Sequence, residues 1–457
     1  MRSLFFVLLP ALTAVVNPFL RRVDSRLVDV LSTVVLLAGL CAVLFFPLAD
    51  GSDSLSVLML LAVYLIAFLV SLFSVFFVQE ERSRGTFFSL ILVCAAGMAG
   101  VVTTRDFFTL YVFLEVVAVS SFAMIAFAGD PAGTEGALKY LFLSAVASAL
   151  ILLGVAGLLL ATGGVSFPHL SGGIAKAGVL LAASLLACGF MIKAGLIPFH
   201  GWVPDAYESA PAPVSALLAG IVTKVAGVYA LIRLGSLLGL SVPDGPYAAI
   251  GKALMFFGAL SIVVGAVAAM TQHDFKRILA YSSISQVGYI VLAAGTGTPL
   301  ALAGAVFHLF NHATFKVTLF LNGAAIEKAT GTRDMTRLGG LGSRMPWTAG
   351  TSVVAFLSTA GIPPLSGFWS KLVIIVALWQ AGSHGYAALA ILSSVLTLAY
   401  FLILQRKVFF GDTVPLTRDA QEVCPGMLAP VVLAAALMIL VGLYFPTVLE
   451  PFLGGDL

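Results

Sequence analysis

Long apolar runs alternate with short polar breaks along nearly the whole chain. A helix crossing a bilayer core needs about 20 apolar residues, and only helices and closed barrels satisfy their backbone groups in lipid. On that basis the pattern predicts fourteen spans, at 2–20, 27–48, 54–78, 86–104, 106–128, 136–162, 175–209 (interrupted), 211–238, 246–270, 277–295, 300–327, 349–380 (interrupted), 385–410 and 427–449. The connections are short and rich in Gly, Pro, Asp and Ser, as in "DGSD", "GDPAGTEG" and "VPDGP". No linker or low-complexity stretch divides the chain, so residues 1–457 read as a single transmembrane domain. The expected fold is an all-α polytopic membrane protein.

Two spans are interrupted by matching Pro/Gly breaks. Set without gaps, "AGLIPFHGW" (194–202) and "AGIPPLSGF" (360–368) share Ala, Gly, Pro and Gly, and Trp202 meets Phe368. The two segments lie five spans apart, an odd number, so they cross the membrane in opposite directions. That is the signature of an inverted repeat whose discontinuous helices mark an ion path. The expected halves are 86–238 and 246–410, each with one discontinuous helix. Lys193 aligns with Thr359 and Lys371 with Asp205, so each break has a lysine nearby, on opposite sides of the motif.

Composition agrees with this pattern. Hydrophobic residues make up 60% of the chain and charged residues 10%, against about 25% charged in soluble domains. A net charge of +3, with no basic block interleaved with aromatics, gives no footing for nucleic acid. Cys41, Cys94, Cys188 and Cys424 are scattered and form no CxxC pair or Cys/His cluster, so neither a zinc site nor an iron–sulfur cluster is expected. The N-terminal "MRSLFFVLLPALTAVVNPFL" has the layout of a signal peptide, but a first span explains it equally well and a dozen similar runs follow. With fourteen spans, most basic residues, from Arg21 to Arg418, fall on one set of alternate loops. The other set holds only Arg2, Arg105, Lys176, Arg233 and Lys252. The positive-inside rule then makes the basic side cytoplasmic and turns both termini outward.

Five lysines remain inside apolar spans: Lys139, Lys193, Lys224, Lys316 and Lys371. Each costs about 2.5–3.5 kcal/mol at a bilayer centre on insertion scales. Glu115 adds an acid in mid-span, and His308, His312 and Lys316, at spacings of four, share one stripe of a helix with Asn311 beside it. Bland explanations exist for each: a lysine snorkelling to the interface, a structural ion pair for Glu115, a satisfied polar seam for the histidines. Asp205 and Glu208, just past the first break, also suit a solvated loop or helix cap. The functional explanation is proton transfer. Desolvation makes a lysine release its proton more readily and a neighbouring carboxylate opposes that, so a Lys–Glu pair traps or frees a proton as nearby charge moves.

The stretches "FFTLYVFLEVVAVSSF", "KAGLIPFHGWVPDAYESAPAPVSALLAGIVTK", "HDFKRILAYSSISQVGY", "HLFNHATFKVTLFLNGAAI" and "TAGIPPLSGFWSK" resemble the antiporter-like subunits of respiratory complex I. Subunits of membrane-bound hydrogenases and of Mrp-type cation/proton antiporters belong to the same family. The resemblance covers about residues 54–410, in order and spacing. It implies fourteen core helices with two inverted five-helix repeats. By the same resemblance Glu115 is the fifth-helix glutamate, Lys193 its partner on the broken seventh helix, and Lys224 the connecting eighth-helix lysine. His308, His312 and Lys316 match the central polar axis, and Lys371 the terminal basic residue of the broken twelfth helix. Lys139, with His200 and Asp205 as lining residues, completes the expected pathway.

The chain ends about eight residues past its fourteenth expected span, without the lateral helix of the most distal complex I subunit or the added domains of the large Mrp subunit. The expected role is therefore a proton-translocating subunit of a complex I-like oxidoreductase. Its partners would be other membrane subunits, its ions protons, with Na+ as the alternative. No cofactor is expected on this chain: electron transfer, as in an NADH-quinone oxidoreductase, would occur in partner subunits. An Mrp-type Na+/H+ antiporter subunit or a hydrogenase subunit is the alternative within the family. A stand-alone small-solute transporter, or an inert scaffold, is the alternative outside it. The expected location is a bacterial or archaeal cytoplasmic membrane.

Overall fold

The structure is a computed structural model and describes residues 2–45, 53–78, 81–170, 177–239 and 245–453. The expected span ends at 46–48 and 175–176, and most of the "VPDGP" turn, lie outside these residues. The first six helices are α1 (Arg2–Leu20), α2 (Ser25–Phe45), α3 (Ser54–Phe77), α4 (Glu81–Thr103), α5 (Phe107–Ile125) and α6 (Pro131–Thr162). A short α7 (Phe167–Leu170) precedes α8 (Ala177–Ala194) and α9 (Trp202–Ser209), which flank the first break. Next come α10 (Ala212–Leu217) and α11 (Ala230–Leu238), joined by π-helical turns at Leu218–Val222 and Lys224–Tyr229 into one rod. Then follow α12 (Ala248–Met270), α13 (Phe275–Thr296), α14 (Pro299–Thr330) and α15 (Leu341–Arg344). The second break lies between α16 (Pro346–Ala360) and α17 (Ser366–Gln380). The chain closes with α18 (His384–Gln405), α19 (Pro425–Leu443) and α20 (Phe445–Leu453).

Among the described residues, ten helices are long and apolar enough to cross a membrane, and the helical stretches Leu4–Leu20, Gly178–Ala194 and Ser366–Gln380 are shorter but apolar. The 32-residue α14 is not among the ten, because its histidines, asparagines and lysines lower its hydropathy. Leucines and phenylalanines such as Leu160, Phe142, Leu181 and Leu392 face outward. On a soluble protein such a surface would signal an interface; here it meets lipid. The fold is all-α and multi-pass, as the pattern predicts.

The helix ends follow local chemistry. Asp53, Asp106, Asp130 and Asp274 each accept a backbone N–H of the first turn of the helix they precede, which serves donors otherwise left bare. Two spans start earlier than their apolar runs suggest: α6 begins at Pro131, behind its Asp130 cap, and α4 at Glu81. The fourteenth run, expected to 449, stops at Leu443 and a separate α20 follows. The predicted eighth span is a single rod but not a regular helix; nothing in its local sequence announces the two π turns.

Small residues set the closest packing. On α12 and α13 a Cβ placed at Gly258 would lie 2.6 Å from the Leu292 nitrogen, and one at Gly265 would lie 2.7 Å from that of Ser285. Backbones approach this closely in membranes because no hydrophobic drive separates helix from lipid, and small residues maximise contact. The rod α10–α11 is buried along nearly all its length, with Gly235, Ser236 and Leu237 partly exposed, and α14 beside it is mostly buried too, packed against α3, α10, α13, α16, α17 and α19. These two elements form the centre of the bundle.

Candidate functional site

The first break ends α8 with Gly195 in the left-handed conformation, and the Ile197–Pro198 bond is cis. Its interrupted backbone is served from elsewhere: Trp202 Nε1 donates to the Ile192 carbonyl at 3.1 Å, and the Ile197 amide donates to Ser261 Oγ at 3.0 Å. Lys193 is thereby fixed in the last turn of α8, with its Nζ 3.5 Å from Glu115 Oε1 of α5. Two serines of α6 complete the pair. Ser148 donates to Glu115 Oε1, and Lys193 donates to Ser144 Oγ at 3.1 Å. Lys193 is buried, whereas the Glu115 side chain keeps 36% of its surface. The pair thus has a buried base and an acid with an open side.

Lys224 lies on the π-distorted part of the central rod and is fully buried. Its ammonium donates to the Ala219 carbonyl and to Thr223 Oγ1, the latter at 3.0 Å. Thr223 in turn lies 3.2 Å from the Tyr207 hydroxyl, on the helix just past the first break. Gly227 brings this segment onto the break itself: a Cβ there would lie 2.3 Å from the Ala194 nitrogen.

His308, His312 and Lys316 are fully buried along α14. Lys316 donates to Ser282 Oγ at 2.5 Å and to the Leu279 carbonyl at 2.9 Å, both on α13. His308 Nδ1 lies 2.9 Å from Ser370 Oγ, and Asn311 donates to the Ser366 carbonyl at 3.0 Å, so α14 is tied to the helix that follows the second break. Lys371, one residue on, is buried beneath Tyr289, with its Nζ 4.6 Å from the ring centroid. The second break has Gly361 in the left-handed conformation and a cis Pro363–Pro364 bond, and Gly361 lies under the stem of Lys371. His308 Nε2, both ring nitrogens of His312 and Lys371 Nζ have no hydrogen-bond partner in the protein.

Lys139 and Asp205 lie apart from these groups, in an ion-pair cluster at the end of α6. Lys139 Nζ is 2.7 Å from Glu135 and 2.6 Å from Asp205, and its side chain is 45% exposed. Arg277 of α13 reaches Asp205 at 3.1 Å and Glu208 at 2.7 Å. Lys276 donates to the Ala210 carbonyl, and Arg333 to that of Glu208, so cations cover the C-terminal end of α9, where they are favoured. Burial pushes the Asp274 carboxyl up, against the lowering charge of Arg333. His200 is half-buried on the break, its ring 6.5 Å from that of Tyr281.

Ser144 and Ser148 carry no signal of their own in the sequence, because serine in an apolar helix is common. One constant shift along the chain would have exposed them. It carries Asp106 and Ser166 onto Asp274 and Asp334, which form matching isolated bridges. It also carries the 32-residue Pro131–Thr162 onto the 32-residue Pro299–Thr330. The same shift sets Ser144 on His312 and Ser148 on Lys316. Among the described residues, no three His, Cys, Asp or Glu side chains converge to hold a metal ion.

Fold and buried groups together define an antiporter-like membrane protein. Residues 104–397 match the model of the transmembrane family described as NADH:quinone oxidoreductase/Mrp antiporter, and the chain belongs to that family. It is 36% identical over 382 residues to an NADH-quinone oxidoreductase subunit of Desulforudis audaxviator, covering 80% of this chain and 75% of that one. It is 33% identical over 401 residues to a Na(+)/H(+) antiporter subunit of Alkalihalophilus pseudofirmus, covering 87% and 80%. Among solved structures, a chain of the Mrp complex from Dietzia sp. superposes with a TM-score of 0.90 at 26% identity, over 100% of this chain and 97% of that one.

Proposed function

We propose that this chain is the proton-translocating membrane subunit of a complex I-like oxidoreductase, working with partner subunits that carry the electrons. The observation that carries the reading is the pairing of Lys193 with Glu115 at the first break, together with five further basic positions buried beyond it: Lys224, His308, His312, Lys316 and Lys371. Isolated buried charge is unfavourable, so a fold that keeps this many basic groups in its interior has a use for them. Protons are taken up from the cytoplasmic side near Lys139 and Asp205, with His200 lining the approach. They pass by Glu115–Lys193 and Lys224, then through His308, His312 and Lys316 towards Lys371 and the outer side. The coupling signal is a change in the charge state of Glu115–Lys193: when Glu115 is neutralised, Lys193 loses its counter-charge and its proton moves on.

Fourteen crossing segments in two inverted repeats, 86–238 and 246–410, with both termini outside a prokaryotic cytoplasmic membrane, form the frame of this reading. It is supported by the matched lengths, caps and bridges of α6 and α14. It is also supported by the left-handed glycines Gly195 and Gly361, at equivalent points of the two breaks.

The test is the assembled complex in proteoliposomes. Glu115→Gln and Lys371→Ala are each expected to lower proton pumping at least about tenfold with the subunit composition unchanged, the first by weakening the charge-assisted contact to Lys193 and the second by removing a proton-carrying group from the route. Unaltered pumping in either variant would overturn the reading. A second reading, an Mrp-type antiporter subunit, is favoured by the superposition on the Mrp chain and by the relative from Alkalihalophilus. It predicts Na+-dependent proton exchange without an electron donor, and the neighbouring genes would separate the two.

A further inference from the structure

Arg233 is a cation on the sparsely basic side that the pathway leaves unused, and it is buried and held by three side chains. It lies on α11, nine positions beyond Lys224 on the same rod. Only 6% of it is exposed. Both terminal guanidinium nitrogens engage Asp53, the N-cap of α3, and Nη2 also reaches Ser56 Oγ at 2.9 Å and the Tyr229 hydroxyl at 3.2 Å. Its planar head lies 5.3 Å from the Tyr229 centroid and 5.9 Å from that of Phe167. Tyr229, the last residue of the π turn that begins at Lys224, is itself anchored to the Val102 carbonyl at 3.1 Å. The Asp53 side chain is the more exposed of the pair, 29% against 7%, so the guanidinium faces the interior and the carboxylate faces out.

We propose that Arg233 is an electrostatic plug that closes the outer end of the first half of the route, so that a proton arriving at Lys224 passes sideways towards Lys316. This rests on the proton-translocating reading above. Arginine stays charged under any condition the membrane meets, and a fixed positive charge in a narrow passage turns protons and cations back. Without such a barrier, each half-route would open to both sides and the gradient would drain through the first half. Asp53, Ser56 and Tyr229 position the guanidinium; the barrier is its charge.

The experiment measures passive proton leak in proteoliposomes of the assembled complex, without turnover, after an imposed pH jump. Arg233→Gln is expected to raise the leak about tenfold, the scale of removing one unit charge from a partly desolvated path. Adding Lys224→Ala to it should return the leak to background, because the leaking proton comes by way of Lys224. Asp53→Asn breaks the same ion pair but keeps the positive charge, and Arg233→Lys keeps the charge without the fork; neither should leak. Tightness in Arg233→Gln, or equal leaks in Arg233→Gln and Asp53→Asn, would overturn the proposal, the second outcome reducing the pair to a structural pin. If Arg233→Gln fails to assemble, Asp53→Lys decides alone: a tight membrane supports the charge barrier and a leaky one overturns it. Because leak is read without turnover, these outcomes are independent of whether Lys371→Ala abolishes pumping.

Discussion

Ser148 donates to Glu115 while Ser144, one turn away on α6, accepts from Lys193, so the acid and the base each lean on a hydroxyl. A hydrogen bond to a charged group contributes about 1.5–3 kcal/mol. Ser148→Ala is therefore expected to slow proton pumping by about tenfold or more and to move its pH profile, while Ser144→Ala should do less because Lys193 retains Glu115. Pumping by the assembled complex, followed across pH, checks both. Asp53 supplies a second prediction at this scale. Burial pushes its carboxyl up, but the bonds and charge of Arg233 outweigh that and hold it below its ordinary 3.8. A depressed carboxylate contributes its full stability above the unfolded pKa and loses it only as pH falls through the folded value. The Arg233–Asp53 contact should thus survive acidification from about pH 8 to about pH 5, both above the ordinary carboxylate range, with no rise in passive leak. The charged residues were legible in the sequence because each is unfavourable in lipid. The serines were not, since a hydroxyl bonds its own helix at little cost and carries no signal of its own; only the shift that sets α6 on α14 marks their positions.

At the scale of elements, the two breaks were legible and the π turns were not. Glycine followed within a few residues by proline frees several backbone groups at once, so "GLIP" and "GIPP" announce themselves, whereas Pro10, Pro18 and Pro430 sit inside continuous helices. Within the π turns around Lys224, Gly227 lies against the backbone of Ala194, a contact between residues far apart in sequence that no local pattern records. Gly227→Ala puts a methyl group 2.3 Å from that backbone nitrogen. It should destabilise the packing by about 1–3 kcal/mol, as overfilled cores do. A lowered unfolding temperature of the purified complex would register it. Gly350→Ala, whose Cβ would meet nothing within 4 Å, should leave that temperature unchanged.

For the whole molecule, the proposed topology has direct consequences. Reporter domains fused at either terminus should be active only outside the cytoplasmic membrane, and one inserted in the loop between α14 and α16 only inside it. A reporter found on the opposite side would undo both the span count and the direction assigned to the route. The sequence by itself determined that the chain crosses a membrane many times, where two of its helices break, and which residues carry charge into the apolar interior. Those features are local, written in composition, helix breakers and the cost of burying charge. Only the tertiary structure decided which charge meets which: that Lys193 faces Glu115 across two serines, that Lys139 belongs to a half-open ion-pair cluster, and that Arg233 is locked to Asp53. The reason is distance along the chain. Apart from Glu135, one turn from Lys139, these partners are separated by dozens of residues or more, and no local preference records how helices so far apart will pack.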